Sequence, residues 1–373
     1  MKIFICGPTL YEKCHVGHAR IFIFFNFLIN FHKFIGDSPI ALLQLTDIDH
    51  KIYQKSNYKI KKNLNIQDKY LLSLFRDLKS IQVETNFVYS RVSDFLPLIK
   101  IDIVSFLKTK RGYSYGGNVY LTIRDGIVGS LGLTNNEIND MPIDISIGKI
   151  NQRDIMIWNS ENFYRTYNRM DCNNGETSNT FLTSGIPGWH FQDYAIIKNV
   201  FDTQYYIHGG ARELLYPHHE FIEELSITDN SRNENLKPKK KWIHIGLVNV
   251  KSEKMSNSRH NTISISDILK KYGPNSLKIF FLSKKYKSDM EFSYEDLDEA
   301  DGVDKIIASF LLKNNNNYQK CDAEKLYLMQ FLKFLYNDYD TASSINMVLE
   351  LINIYQNPNL IKKMVEILGL KYY

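Results

Sequence analysis

The sequence predicts an α/β fold: a parallel sheet, interrupted by an inserted segment and followed by a helical region. Its opening runs strand, glycine-containing loop, helix, strand. A glycine-rich stretch of alternating apolar residues breaks the middle, and from Ile265 onward the apolar residues recur at helical spacing. Residues 2–6 are a short apolar run, read as a buried strand. Residues 7–20 read as a loop, and 21–35 as a helix apolar on most faces and stopped by Gly36. Residues 39–45 form a second strand-like run ahead of Thr46-Asp47-Ile48-Asp49. Ligands of parallel sheets sit beyond the carboxyl ends of the strands. That rule brings residues 6–18 and 46–49 to one rim.

Further along, 59–80 and 95–108 read as helices, and 116–132 as a small β insertion. Residues 151–185 are polar and loop-rich. Strand character returns at 205–207 and 243–248, with 230–241 a charged surface connection. The asparagine run at 314–317 is a low-complexity loop between helices.

A chain of 373 residues allows two or three domains. With 44% hydrophobic and 23% charged residues it is neither a disordered tail nor a fibre. Its longest apolar stretch, 21–31, falls short of the roughly 20 residues of a membrane span and holds Asn26 and Asn30. The N-terminus lacks the features of a signal peptide. Cys6, Cys14, Cys172 and Cys321 are scattered, with no CxxC pair. A disulfide framework is not expected, and a reducing, cytoplasmic setting is. The net charge of +5 is compatible with a nucleic-acid partner without specifying one.

Four clusters carry chemistry. His15-Val16-Gly17-His18 precedes the first long helix. Helix N-termini attract phosphate, and two imidazoles three apart can donate to its oxygens; the plainer reading is two surface histidines. Lys254-Met255-Ser256-Asn257-Ser258 could grip polyphosphate or be a solvated loop. His208-Gly209-Gly210 and Pro217-His218-His219-Glu220 place histidines beside glycines and a carboxylate, which suits a metal or a ligand-free turn. Trp189, in Gly188-Trp189-His190, offers an aromatic surface or simple packing.

Taken together and in order, these segments resemble the cysteinyl-tRNA synthetases, a class I aminoacyl-tRNA synthetase family. CGPTLYEKCHVGHAR, LTDIDHKI, PGWHF, HGGARELLYPHHE, WIHIGLV, KMSNS, YKSDMEFS and YNDYDTASSI follow in family order over nearly the whole chain. The resemblance implies a Rossmann-type class I synthetase catalytic domain with an inserted subdomain, followed by an α-helical domain. The expected units are 1–110 and 186–262 for the catalytic halves, 111–185 for the insertion, 263–300 for a stem-contact region and 301–373 for the helical domain. It implies attachment of L-cysteine to tRNA(Cys) through cysteinyl-adenylate, with ATP and Mg²⁺ as substrate. His15, His18 and Lys254 would be catalytic. ATP would meet Gly7, Gly17, His15, His18, Lys254 and Asn257. Thr46, Trp189 and His208 would surround the cysteine.

The family selects cysteine with zinc held by two Cys, one His and one Glu. Cys6 and His218 match two of these. Asp193 stands at the second Cys position and Ile222 at the Glu position, with Glu223 one residue on. Two readings follow: a weakened zinc site of Cys6, His218 and Asp193 completed by Glu223 or water, or loss of the metal. Asn257 replaces a lysine of the family's KMSKS, with Arg259 nearby to substitute, and Ala211 replaces a glycine of HGGG. The sequence stops where the family continues into an anticodon-binding domain, so tRNA choice is expected to rest on the acceptor end and helical domain. A monomer is expected. Competing readings are a non-catalytic tRNA- or nucleotide-binding relic and a cysteine:amino-sugar ligase.

Overall fold

The computed structural model describes residues 1–57, 59–123, 131–132, 148–160, 182, 185–201, 206–229, 240–255, 261–313 and 322–372. Strands β1 (Lys2–Thr9), β2 (Ile40–Thr46) and β3 (Val88–Arg91) come first, joined by helices α1 (Val16–Phe34), α2 (His50–Lys55) and α3 (Ile60–Ser80). Helix α4 (Val92–Lys108) leads to β4 (Gly112–Tyr115), β5 (Asn118–Leu121), β6 (Ile155–Asn159) and β7 (Ile186–Pro187), a separate four-stranded antiparallel sheet. The chain then returns through α5 (Trp189–Phe201), β8 (Tyr206–Ala211), α6 (Glu220–Asp229) and β9 (Lys240–Ile245).

The central sheet is wholly parallel, in the order β3-β2-β1-β8-β9. Lys2 sits opposite both Ile40 and Tyr206. From β1 the chain builds outward to β2 and β3 on one side. It adds β8 and β9 on the other side only after the inserted sheet. The direction therefore reverses between β1 and β8, the position where parallel sheets open a ligand crevice. Cys6 and Gly210 border it.

Helix α1 is buried nearly all round, from Val16 through Phe31. Its apolar stretch lies between the sheet and the C-terminal helices, so both faces are covered. It starts five residues earlier than the apolar run alone suggests, because His15 caps it. The expected loop at 7–20 is thus shorter, and β1 extends to Thr9 with a register irregularity after Cys6. Strand β3 is too short and polar to announce itself. Strand β8 continues through Gly209 and Gly210, which carry no strand propensity but have β1 and β9 to pair with. Lys240 and Lys241, read as surface connection, instead open β9, where Glu223 accepts from Lys240 Nζ at 3.0 Å. Of the segments read above, residues 124–130, 161–181, 183–184, 230–239 and 314–317 lie outside the described residues.

After β9, strands β10 (Val248–Val250), β11 (Glu253–Lys254) and β12 (Met290–Glu291) form a small third sheet. The helices that follow are α7 (Ile265–Ile268), α8 (Pro274–Leu282), α9 (Tyr294–Lys313), α10 (Asp322–Tyr336), α11 (Thr341–Ile354) and α12 (Pro358–Ile367). They share one apolar core with α1 and the sheet. Lys278 Nζ donates to Gly369 O at 2.9 Å, and Asn275 exchanges two hydrogen bonds with the Lys371 backbone, so the last residues are packed on α8. Among the described residues, no helix is long and apolar enough to cross a membrane.

Candidate metal and nucleotide site

Four segments bring donor atoms to the crevice. Strand β1 supplies Cys6, β8 His208, α5 Asp193, and the turn before α6 supplies His218 and His219. Cys6 Sγ lies 3.2 Å from Asp193 Oδ2, 3.3 Å from Nε2 of both His208 and His219, and 3.7 Å from His218 Nε2. All five residues are buried. Cys6, His218 and His219 form one set able to hold an ion, and Cys6, Asp193 and His208 another, with ligand atoms within 4.8 Å of one another in each. Gly210 leaves the space: a Cβ there would stand 3.1 Å from His219 Cε1 and 3.3 Å from Cys6 Cβ.

A second layer of rings orients the first. His218 Nδ1 faces His190 Nδ1 at 2.9 Å, and His219 Nδ1 faces His244 Nε2 at 2.8 Å. In each pair one nitrogen donates and the other accepts. A proton on the inner histidine leaves its Nε2 lone pair for a metal, the arrangement seen where a metal-bound imidazole donates outward. His208 stacks on Trp242 with ring centroids 4.0 Å apart, and His218 on Trp189 at 4.2 Å. Burial holds His190, His208 and His219 well below the ordinary imidazole value and His244 down at about 4, so these rings are neutral. Burial, and then the Asp193 carboxylate, pushes the Cys6 thiol up.

Sulfur, imidazole and carboxylate are all acceptable zinc donors. Among the described residues, buried Asp193 Oδ1 and His208 Nδ1 have no hydrogen-bond partner, a costly state for polar atoms inside a protein. The residues present therefore fit zinc. Glu223 does not belong to the set: its Oε2 accepts from Lys240 Nζ at 3.0 Å and Trp242 Nε1 at 3.1 Å. Ile222 is buried in the core behind it. The expectation that Glu223 completes the site is corrected. Rotation along α6 turns it to β9, and His219 takes the inward place.

At the start of α1, two histidines cap the helix reciprocally. His15 Nδ1 accepts from Gly17 N–H at 3.1 Å, and His18 Nδ1 accepts from His15 N–H at 3.2 Å. With both Nδ1 atoms accepting, both ring protons sit on Nε2. Gly17 makes the fold-back possible, since a Cβ would come within 2.9 Å of His15 Cε1. Burial, with His15 beside it, drives the His18 imidazole down to about 3. His18 lines the same cleft as Cys6, Gly7 and Trp189.

Both flanks of the Lys254–Ser258 segment are tied to this end of α1. On one side Met255 N–H donates to Val248 O at 3.1 Å, and Lys254 ends β11. On the other, Val16 N–H donates to Ile263 O at 2.9 Å and His15 bridges Ser264. Arg20, which the sequence reading passed over, reinforces the arrangement. Its buried guanidinium donates to four carbonyls: Gly246, Leu247, Lys285 and Ser288, at 2.7–3.1 Å. Asn257 and Arg259 lie outside the described residues.

Residues 1–302 match the family model described as the class I (C) tRNA synthetase catalytic domain. The chain belongs to the class I cysteinyl-tRNA synthetases. A cysteine–tRNA ligase of Aliarcobacter butzleri is 30% identical over 363 residues, covering 95% of this chain and 74% of that protein. One from Methanococcus vannielii is 30% identical over 311 residues, covering 80% of this chain and 61% of that protein. In fold it is similar to a leucyl-tRNA synthetase of Agrobacterium radiobacter, with TM-score 0.70, 8% identity and coverage of 99% and 82%. It is also similar to the methionyl-tRNA synthetase of Mycobacterium tuberculosis, with TM-score 0.64, 10% identity and coverage of 98% and 89%.

In this synthetase, Asp193 Oδ2 and His218 Nε2 lie 3.1 Å apart, each beside Cys6 Sγ. His208, expected beside the cysteine, stands within the ligand cluster itself. Trp189 is 39% exposed and lines the cleft. Thr46 is buried at the end of β2, where Gln44 Nε2 donates to its hydroxyl at 3.2 Å. His190 and His244 went unassigned in the sequence, and His219 entered only as part of the Pro217–Glu220 cluster. Each lies inside a quoted family segment, but nothing local says which imidazoles face one another.

Proposed function

We propose that this synthetase joins L-cysteine to tRNA(Cys) in two steps at the β1/β8 crevice. The cysteine carboxylate oxygen attacks the α-phosphorus of Mg²⁺-bound ATP, and the bond to pyrophosphate breaks. A ribose hydroxyl of the terminal adenosine then attacks the carbonyl carbon of the adenylate, loses its proton and releases AMP. His15 and His18 direct Nε2–H donors at charge developing on the phosphates, the preorganised stabilisation that dominates such chemistry. Because burial keeps His18 neutral, it hydrogen-bonds without adding a charge that must be desolvated. Gly7 and Gly17 allow close backbone approach, and Lys254 and Asn257 take the family's KMSKS role on the far side. Trp189 and Thr46 border the amino acid.

Cys6, His218 and Asp193 hold zinc, with His219 or His208 completing the set. When bound there, zinc supplies a Lewis acid that favours sulfur and keeps it ionised. A pocket judging size alone would separate cysteine from serine by only about 1–3 kcal/mol. The convergence of sulfur, nitrogen and carboxylate donors on Cys6, in the cleft that His18 also lines, is the observation that carries this reading. The proposal also takes the chain as a cytoplasmic monomer, divided at the boundaries given above.

Cysteine-dependent ATP–pyrophosphate exchange tests it, with serine as control and zinc quantified in the same sample. Exchange with cysteine and little with serine is expected. No exchange from folded, zinc-supplied protein would overturn the catalytic reading and leave a binding relic. Exchange without transfer to tRNA would point to a different cysteine acceptor.

A further inference from the structure

The cleft has one wall that the cysteine and ATP sites do not use. From Tyr11 and Lys51 in that wall, ammonium groups and tyrosine rings alternate outward beyond the cleft. Lys51 Nζ stands 5.3 Å from the Tyr11 ring centroid, and Lys55 Nζ 5.8 Å from the same ring. Lys55 also donates to Tyr11 O at 2.7 Å and reaches the Tyr70 ring at 5.0 Å. Lys69 approaches Tyr70 at 5.4 Å. Tyr11 and Lys51 border the same cleft as Cys6 and His18.

The local sequence explains the arrangement. Asp49 caps α2 by accepting from Lys51 N–H at 2.7 Å. Lys51 and Lys55 then stand four residues apart on one helical face, both exposed. Like charges at that spacing repel on a helix. Among the described residues, neither is in an ion pair with a carboxylate. A polyanion would relieve the repulsion, and an aromatic ring beside the cations would stack a base. That combination of cations and rings is how proteins hold single-stranded nucleic acid.

The position suits one occupant. The buried wall of the cleft holds the metal donors. The wall at the start of α1, tied to the flanks of the Lys254 segment, serves the nucleotide. Tyr11 and Lys51 line the cleft beside Glu12 and Lys13. We propose that Tyr11, Lys51 and Lys55 form the platform that receives the single-stranded 3′ end of the tRNA on its way to the adenylate. This rests on the two-step reading above, because only the transfer step needs an RNA end in this cleft.

A mutant cycle on binding tests the platform independently of catalysis. Intact tRNA(Cys) transcript and one trimmed of its single-stranded 3′ end are each titrated against wild type and the K51Q/K55Q variant. Trimming is expected to weaken wild-type binding about tenfold, the scale of a lost stack and phosphate contacts. The double variant should bind intact tRNA as weakly, lose little more on trimming, and show a salt slope shallower by about 1. Additive losses would overturn the proposal. A single Lys55→Gln change should raise the KM for tRNA several-fold while leaving cysteine-dependent pyrophosphate exchange within twofold of wild type. Loss of exchange with unchanged tRNA binding would assign the lysine to ATP and also overturn it. A wild type that shows no exchange fails the two-step reading, whereas the binding cycle alone judges the platform.

Discussion

Cys6 Sγ and Asp193 Oδ2 stand 3.2 Å apart, although 187 positions separate them in the chain. The thiol meets a carboxylate whose second oxygen has no partner among the described residues. A carboxylate is a harder zinc ligand than the thiolate it replaces. Asp193→Asn is expected to lower the zinc content of purified protein. Asp193→Cys is expected to raise zinc affinity above wild type. Equal zinc in wild type and Asp193→Asn would remove Asp193 from the ligand set.

His244 Nε2 faces His219 Nδ1 at 2.8 Å, behind the proposed metal site. Loss of such an outward partner costs about 10–100-fold in metal affinity. Chelator competition on His244→Ala should show a drop of that order. An unchanged zinc affinity would leave His244 a packing residue and argue against His219 as a ligand.

The His18 imidazole is held at about 3 by burial and by His15, against an ordinary value of 6.5. In the unfolded chain it takes up a proton as pH falls below about 6.5, while in the fold it resists until near 3. Its contribution to stability is therefore complete above the unfolded value and is lost as pH falls toward the folded one. Thermal midpoints measured from pH 7 to pH 4 should fall less steeply in His18→Asn than in wild type. Asparagine does not titrate yet can still accept from His15 N–H. Parallel curves would show that His18 is not depressed.

Arg20 links the end of β9 and the Lys285–Ser288 turn through four carbonyls. Lysine carries its three donors at one point and cannot span both segments. Arg20→Lys should cost about 2–4 kcal/mol in urea unfolding, since buried carbonyls lose partners. It should also raise the KM for ATP in pyrophosphate exchange, because Gly246 and Leu247 lead directly into β10 and β11, which ends at Lys254. Unfolding and ATP values equal to wild type would make the guanidinium contacts dispensable.

Much of this protein was legible from local pattern. The apolar runs announced β1, β2 and α1, and the helical spacing after Ile265 announced the C-terminal helices. The HVGH segment reads as lying between a strand and a long helix, though the helix start falls within it, and the ordered motifs declared the family. Each of these signals lies within a few residues of chain, where periodicity and capping chemistry operate. The ligand set was legible only in part. Spacing along α6 offered Glu223 as a neighbour of the metal, yet its carboxylate serves Lys240 and Trp242. Five donors meet because β8 pairs with β1 after a crossover of some two hundred residues, bringing His208 within 3.3 Å of Cys6 Sγ. The sequence by itself determined the elements, their order and the chemistry available to them. Tertiary structure alone decided which histidines face the thiol, because that depends on the register of parallel strands that no local pattern encodes.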